Sequence, residues 1–288
     1  MTPDADTAPT LPTRDPLHLD TLRAALAVAG NPDSAARIDL HDECESTNQV
    51  AGELPPAATV AAGWALVAAE RQSAGRGRLG RHWESPPGAG LLCSLLLDVP
   101  ADADPAVVGL LPLAAGVAVV DACRAAGVPA GLKWPNDIVV EPGPAGVPLG
   151  KLGGLLAERS PRGVVVGLGL NVSLTSAEAP TREATSLWHH GLRDDVGRED
   201  LLAACAVGIV QRWRELLADG GRHALVVAYR DRCVTLGRHV VVRHPDGTES
   251  AGEAIDIDDA GHLLLRGRDG QVNVFTVGDV VQARVADA

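Results

Sequence analysis

Aromatic residues are scarce in this 288-residue chain: five Trp, one Tyr and one Phe make up 2% of it. Its core must therefore come from Ala, Val and Leu. At 46% hydrophobic and 22% charged residues there is enough of both to exclude a disordered or fibrous protein. Long uncharged apolar runs are also missing. No stretch of about 18 such residues occurs, so no membrane span is expected, and residues 1–16 lack the basic and apolar segments of a signal peptide. Cysteines are few and odd in number: Cys44, Cys93, Cys123, Cys205 and Cys233, with no Cys-x-x-Cys pair. That pattern points to free thiols in a reducing cytoplasm. The nine histidines form no His-x-x-x-His pair flanking a glutamate, so the common zinc-hydrolase pattern is absent. The net charge of −12 lacks the basic excess of a duplex-DNA binder, so no DNA partner is expected. Lysine is scarcest of all. Of 25 basic residues only Lys133 and Lys151 are lysine. Such an arginine bias is what a GC-rich coding sequence produces, and it leaves the two retained lysines to be explained.

Along the chain, residues 1–16 are rich in Pro, Thr and Asp and read as a disordered tail. Asp20 is placed to cap a helix ending near Gly30. Strands are expected over 36–41, 64–70, 91–97, 133–140, 152–158 and 164–172. Helices are expected after Ser46, over 105–126 and over 198–219. Ser46-Thr47-Asn48-Gln49 has the form of a capping box. Residues 71–90 read as a long polar loop. The pattern changes near residue 234, where short alternating strands at 238–243, 249–257, 262–266, 271–276 and 279–284 are separated by Pro-Asp-Gly and Arg-Asp-Gly turns. The resulting division is a tail (1–16), a main domain (17–233) and a small β-barrel, SH3-like, at 234–288.

Gly75-Arg76-Gly77-Arg78-Leu79-Gly80 matches G-x-G-x-x-G, but Pro86 and Pro87 follow closely and no helix can open there, so a dinucleotide-binding turn is excluded. What remains is a glycine loop carrying Arg76, Arg78 and Arg81, whose guanidinium forks suit a phosphate or carboxylate. Gly150-Lys151 is no Walker A site. Ala145 stands where the first glycine belongs and Leu152 where a Ser or Thr would hold magnesium. No G-x-S-x-G elbow occurs. Lys133-Trp134-Pro135-Asn136-Asp137 brings a cation, an aromatic face, an amide and a carboxylate into five residues. Trp134 among these polar groups reads as a site residue, and Asp137 as a carboxylate for hydrated magnesium.

Taken in order, Ser46-Thr47-Asn48, Gln72 with the Gly-Arg loop and Trp83, Lys-Trp-Pro-Asn-Asp, Lys151-Leu-Gly-Gly-Leu-Leu-Ala-Glu158 and Gly167-Leu-Gly-Leu-Asn171 resemble biotin–protein ligases over about residues 17–284. The resemblance implies an α+β fold: a mixed sheet with packed helices, similar to class II aminoacyl-tRNA synthetases, plus the SH3-like cap. It also implies a two-step reaction. Biotin and Mg·ATP give biotinyl-5′-adenylate, whose acyl group then passes to a lysine of a biotin carboxyl carrier domain. By the same resemblance Ser46, Thr47, Asn48 and Gln72 contact biotin. Gly75, Arg76, Gly77 and Arg78 form the loop closing over biotin and adenylate. Lys151 bridges the two reactants, and Trp83 and Asn171 contact adenine. Lys133, Asn136 and Gly154 complete the ligand-binding set, with Lys151, Arg78 and Asp137 as the catalytic residues. Too few residues precede Ser46 for the winged DNA-binding module that some members carry, which argues against a repressor. A lipoate or octanoate ligase of the same fold, and a non-catalytic biotin-adenylate sensor, are the competing readings.

Overall fold

The computed structural model describes residues 13–30, 36–55, 62–144, 147, 149–244, 246–276 and 279–282. Seven strands form the main sheet: β1 (Arg37–Cys44), β2 (Trp64–Gln72), β3 (Gly90–Leu97), β4 (Ala130–Lys133), β5 (Asp137–Val140), β6 (Gly150–Ser160) and β7 (Gly163–Asn171). Their order is β1-β2-β3-β7-β6-β5-β4. β1 and β2 pair in parallel and the other neighbours antiparallel.

The central strands are apolar on both faces, as strands covered on both sides must be. Trp64, Leu66, Leu95, Leu97, Val166 and Leu168 face a helical layer of α1 (Leu19–Val28), α4 (Leu111–Ala125) and α5 (Arg198–Leu217). Ala65, Val67, Leu96 and Val165 face the short α2 (Thr47–Glu53) through Ala51 and Leu54. The smaller cover on the second face leaves part of the sheet open beside α2, and the candidate site lies there.

Several local expectations are corrected. The 105–126 helix is broken into α3 (Pro105–Val108) and α4, because Pro112 cannot donate the N–H that a continuous helix needs and is comfortable only in a first turn. By length and composition Pro105–Ala125 would be apolar enough to cross a membrane, yet 72% of its apolar window is buried in the fold, and Asp121 on it pairs with Arg212 and Arg232. Asp20 is not a cap: α1 begins after His18, and Asp20 lies in its first turn. Residues 133–140 are not one strand but a hairpin, β4 turning into β5 across Trp134–Asn136 with a cis Trp134–Pro135 bond. A helix α6 (Gly221–Arg232), absent from the sequence reading, follows α5 and buries Leu225, Val226 and Tyr229.

Of the expected tail, residues 1–12 lie outside the described residues, whereas Thr13–Pro16 are placed. Arg14 donates to both carboxylate oxygens of Glu178 (2.8 Å each) and to the Ser173 carbonyl (2.7 Å). The hydrogen-bonded Arg14 holds the Glu178 carboxyl down at about 2, from its ordinary 4.5. The stability from this pair is complete above the unfolded value and is lost as pH falls from about 4.5 toward about 2. The melting temperature of wild type should therefore exceed that of Glu178→Gln at pH 6, with the gap closing toward pH 3. A gap that is constant over this range would contradict the assignment.

The C-terminal unit is a five-stranded antiparallel sheet of β8 (His239–Arg243), β9 (Glu249–Ile257), β10 (Leu263–Arg266), β11 (Val272–Phe275) and β12 (Asp279–Gln282), ordered β11-β10-β9-β8-β12. Four of the five expected strands match to within a residue at each end, and the outer part of the last, 283–284, lies outside the described residues. The β9–β10 turn approaches α4 so closely that a Cβ on Gly261, whose φ is +80°, would fall 2.8 Å from Leu110. Trp134 sits at the junction, 2% exposed, its Nε1 donating to the Gly261 carbonyl and its backbone N–H to Thr235 Oγ1, both at 3.0 Å. It is a tie between the two sheets and not a lining residue of the site.

Candidate active site

The site is assembled where α2, the loop after β2, and strands β5 to β7 meet. α2 enters after Ser46, which is 3% exposed but forms no capping bond. The expected capping box is not formed, since Gln49 turns to Glu53 (3.3 Å). Gln72 at the end of β2 does that work from outside the helix, its Oε1 accepting from the Thr47 N–H at 2.7 Å and from Thr47 Oγ1 at 3.1 Å. Ser94 of β3, which the sequence reading missed, donates to Asn48 Oδ1 (2.6 Å) and lies 2.7 Å from Thr47 Oγ1. Asn48 Nδ2 donates to the Leu156 carbonyl (3.2 Å) and to Glu158 Oε2 (2.6 Å).

The floor beneath Asn48 is β7. A Cβ on Gly167 would lie 2.1 Å from Asn48 Oδ1, and one on Gly169 would lie 2.4 Å from the Trp83 ring. These two glycines, two apart on one face of a strand, make the room that the amide and the indole occupy.

Residues 73–89, after β2, form the long loop that was expected, and a short hairpin is folded within it. Arg76 and His82 pair across it, Gly77 N–H donates to the Arg81 carbonyl (2.7 Å), and Arg78–Gly80 form a 3-10 turn with Leu79 at φ +57°. Gly75 does not line the cleft. It lies where a Cβ would strike the Trp83 carbonyl, so it shapes the hairpin. Arg78 Nη1 donates to Asn136 Oδ1 at 2.9 Å, and Asn136 Nδ2 to the Leu155 carbonyl at 2.7 Å. Arg76 lies 3.8 Å from Glu158. Trp83 Nε1 is buried and finds no hydrogen-bond partner among the described residues.

Lys151 reaches the site because of a bulge. Asp137 pairs with Gly154 and Ile138 with Gly153, but Val139 pairs with Lys151, leaving Leu152 as the extra residue. The bulge resets the alternation of β6, so that Leu152 and Leu155 enter the core while Lys151, Gly154 and Leu156 line the cleft. Lys151 Nζ lies 2.6 Å from Asp137 Oδ1 and 5.9 Å from the centre of the Trp83 ring. Lys133 Nζ lies 3.6 Å from Asp137 Oδ2. Asp137 thus faces two ammonium groups, a poor setting for a resident dication. Among the described residues no group of three His, Cys, Asp or Glu side chains could hold a metal ion. Asp137 offers a single carboxylate, which makes no resident metal site but is what magnesium carried on a nucleotide's phosphates would need.

The cleft is open at its mouth. It gathers Ser46, Thr47, Asn48, Gln72, Arg76, Gly77, Arg78, Trp83, Asn136, Asp137, Lys151 and Gly154 of the expected set. Lys133 stands behind it, beside Asp137. Asn171, expected at adenine, does not line it. It is 4% exposed and donates to the Thr185 carbonyl (2.9 Å), anchoring the segment that runs alongside Lys151.

The site is thus a cationic, glycine-floored cleft on the thinly covered face of a mixed sheet, beside a small antiparallel sheet. The model of the biotin/lipoate A/B protein ligase family matches residues 42–174, and that of the biotin protein ligase C terminal domain matches residues 235–281. The biotin–[acetyl-CoA-carboxylase] ligase of Mycobacterium tuberculosis is 38% identical over 283 residues, covering 94% of this chain and 97% of that protein. The bifunctional ligase/repressor BirA of Bacillus subtilis is 32% identical over 82% of this chain and 71% of its own length. Biotin protein ligase from Aquifex aeolicus in complex with biotin and ATP superposes with a TM-score of 0.70 at 26% identity, covering 86% of this chain and 99% of that one. The chain belongs to the biotin protein ligase family.

Proposed function

We propose that the protein is an ATP-dependent biotin–protein ligase. It activates biotin as biotinyl-5′-adenylate and passes the acyl group to one lysine of a biotin carboxyl carrier domain in a biotin-dependent carboxylase. The observation that carries this reading is the convergence of Lys151, Arg76 and Arg78 on one cleft, with Lys133 behind it at Asp137, in a chain of net charge −12. Two anions, a carboxylate and a triphosphate, have to meet there, and neutralisation with fixed positioning supplies most of what the reaction needs.

In the first step a biotin carboxylate oxygen attacks the α-phosphorus and the bond to pyrophosphate breaks. Lys151 stands between the two reactants. Arg78, braced by Asn136, and Arg76 cover the phosphate from the loop, and Asp137 aims both ammonium groups. In the second step the carrier lysine attacks the acyl carbon, AMP leaves with the bonding pair, and the nitrogen loses a proton to solvent. Ser46, Thr47, Asn48 and Gln72 hold biotin. Trp83 offers adenine a stacking face, while Asn171 supports the site from outside the cleft. Magnesium belongs to the nucleotide and rides on its phosphate oxygens. Residues 17–233 form the ligase domain and 234–288 a supporting domain. The five free thiols, four of them buried, suit a reducing cytoplasm.

Intact-mass analysis of an apo carrier domain incubated with the protein, biotin and MgATP tests this reading, which predicts a gain of one biotinyl group. A gain only with lipoate or octanoate would support the alternative ligase. Tight adenylate binding without transfer would support the sensor. Arg78→Gly should release the reactive adenylate, so that an unrelated lysine-rich bystander protein becomes biotinylated at least about tenfold more than with wild type, a change worth about 1.4 kcal/mol of retention. Bystander labelling equal to wild type would remove Arg78 from that role.

A further inference from the structure

Glu158 closes the Lys151–Glu158 stretch but has no assigned part in the reaction. It lies two residues beyond Leu156 on β6, half-exposed, and touches two members of the site at once: Asn48 Nδ2 at 2.6 Å and Arg76 Nη1 at 3.8 Å. We propose that Glu158 is a positioning residue that fixes which end of the Asn48 amide faces biotin and, through Arg76, holds the Gly-Arg hairpin against that amide before ligand arrives. The proposal rests on the reading above that Asn48 contacts biotin.

An asparagine amide can sit either way round, and its surroundings decide. Asn48 is 8% exposed and hemmed in, with Gly167 beneath it. Its Nδ2 faces a backbone carbonyl and a carboxylate, and neither can donate. A flipped amide would set oxygen against both. The short bond to Glu158 is charge-assisted, the stronger kind. With the nitrogen so occupied, Oδ1 is the end left to accept, from Ser94 and from a ligand. The cyclic urea of biotin carries two N–H donors, so an acceptor is what its recognition requires. The second contact is of another kind. Arg76 and Glu158 are both partly exposed, at 49% and 38%, and such pairs are weak. A weak pair yields easily, so an entering carboxylate or phosphate takes Arg76 over from Glu158. The floor of the biotin pocket and the closing hairpin therefore share one carboxylate.

Biotin titration calorimetry, pyrophosphate release at saturating biotin, and tryptic cleavage after Arg76 and Arg78 without ligand test this on four variants. Glu158→Ala should raise the biotin Kd about tenfold while leaving turnover at saturating biotin within about threefold of wild type, since the amide is freed but Lys151 and Arg78 are untouched. Glu158→Gln, which still accepts from Asn48 but has no charge for Arg76, should raise the Kd about threefold and speed cleavage as much as Glu158→Ala does. Asn48→Asp sets two carboxylates together and should weaken binding about fiftyfold or more. Asn48→Asp with Glu158→Gln restores a donor opposite an acceptor and should recover at least about fivefold of that loss. Glu158→Ala binding biotin within twofold of wild type, or a double variant no better than Asn48→Asp, would overturn the orienting role. Unchanged cleavage in both Glu158 variants would overturn the latch. Failure of wild type itself to bind biotin would instead defeat the functional reading, and the cleavage rates would still judge the latch.

Discussion

Replacing Lys151 by arginine is expected to slow adenylate formation almost as much as replacing it by alanine, by about 10²–10³, the usual loss when one preorganised donor is removed from a developing charge. The change conserves charge, so the loss must come from shape. Lys151 Nζ is fitted between Asp137 Oδ1 at 2.6 Å and the Trp83 ring at 5.9 Å. Its backbone is clasped by Glu183 and Thr185 at 2.6 and 3.0 Å. An ammonium is compact enough to lie between a carboxylate and a phosphate at contact distance. A guanidinium is broad and planar, would grip Asp137 with two nitrogens, and would hold the reactants apart. Lys133→Arg should be milder, because Lys133 meets Asp137 from behind the cleft at 3.6 Å. The measurement is pyrophosphate release at saturating biotin and MgATP, with thermal melts to confirm folding. A Lys151→Arg enzyme keeping more than about a third of wild-type rate, a barrier change below about 0.7 kcal/mol, would reduce Lys151 to a generic charge.

Gly167→Ala should be the most damaging single-methyl addition in the biotin pocket. Its Cβ would stand 2.1 Å from Asn48 Oδ1, and Asn48 has little freedom to retreat, being bonded to Ser94, Leu156 and Glu158. Overpacking of this kind costs about 1–3 kcal/mol, or roughly 5- to 150-fold in biotin affinity if the amide bears the displacement. Gly154→Ala is the matched control on the neighbouring strand. There a Cβ finds its closest neighbour, Asp137 Oδ1, at 3.6 Å, which is ordinary contact. Calorimetry should separate the two by at least about tenfold, and equal affinities would mean that β7 shifts to absorb the methyl.

Much of this site was legible before any coordinates, because its residues come in clusters whose types have little else to do. Three arginines on a glycine loop, and a lysine, amide and carboxylate in one short run, state their chemistry locally. The C-terminal strands were equally plain, since period-two alternation and Asp-Gly turns are short-range signals. Trp134 was misread because its polar neighbours face the cleft while the indole points away to Gly261, a contact 127 residues distant. Ser94 was missed as a lone polar residue in an otherwise apolar strand, and Glu158, though it ends the Lys151–Glu158 motif, had no role until α2 and the hairpin folded over it. The bulge at Leu152 left no trace in composition, and α6 was hidden behind Gly220-Gly221, which read as a stop and served as a start.

The near absence of lysine has a consequence for what happens to stray product. An acyl adenylate that escapes into solution modifies amines and ignores guanidiniums. This protein shows it two side-chain amines in all, and both are turned toward the Asp137 carboxylate inside or behind the cleft. Its outer surface meets solvent with arginine alone as its basic side chain, apart from histidine. Self-labelling of side chains is thus limited by composition.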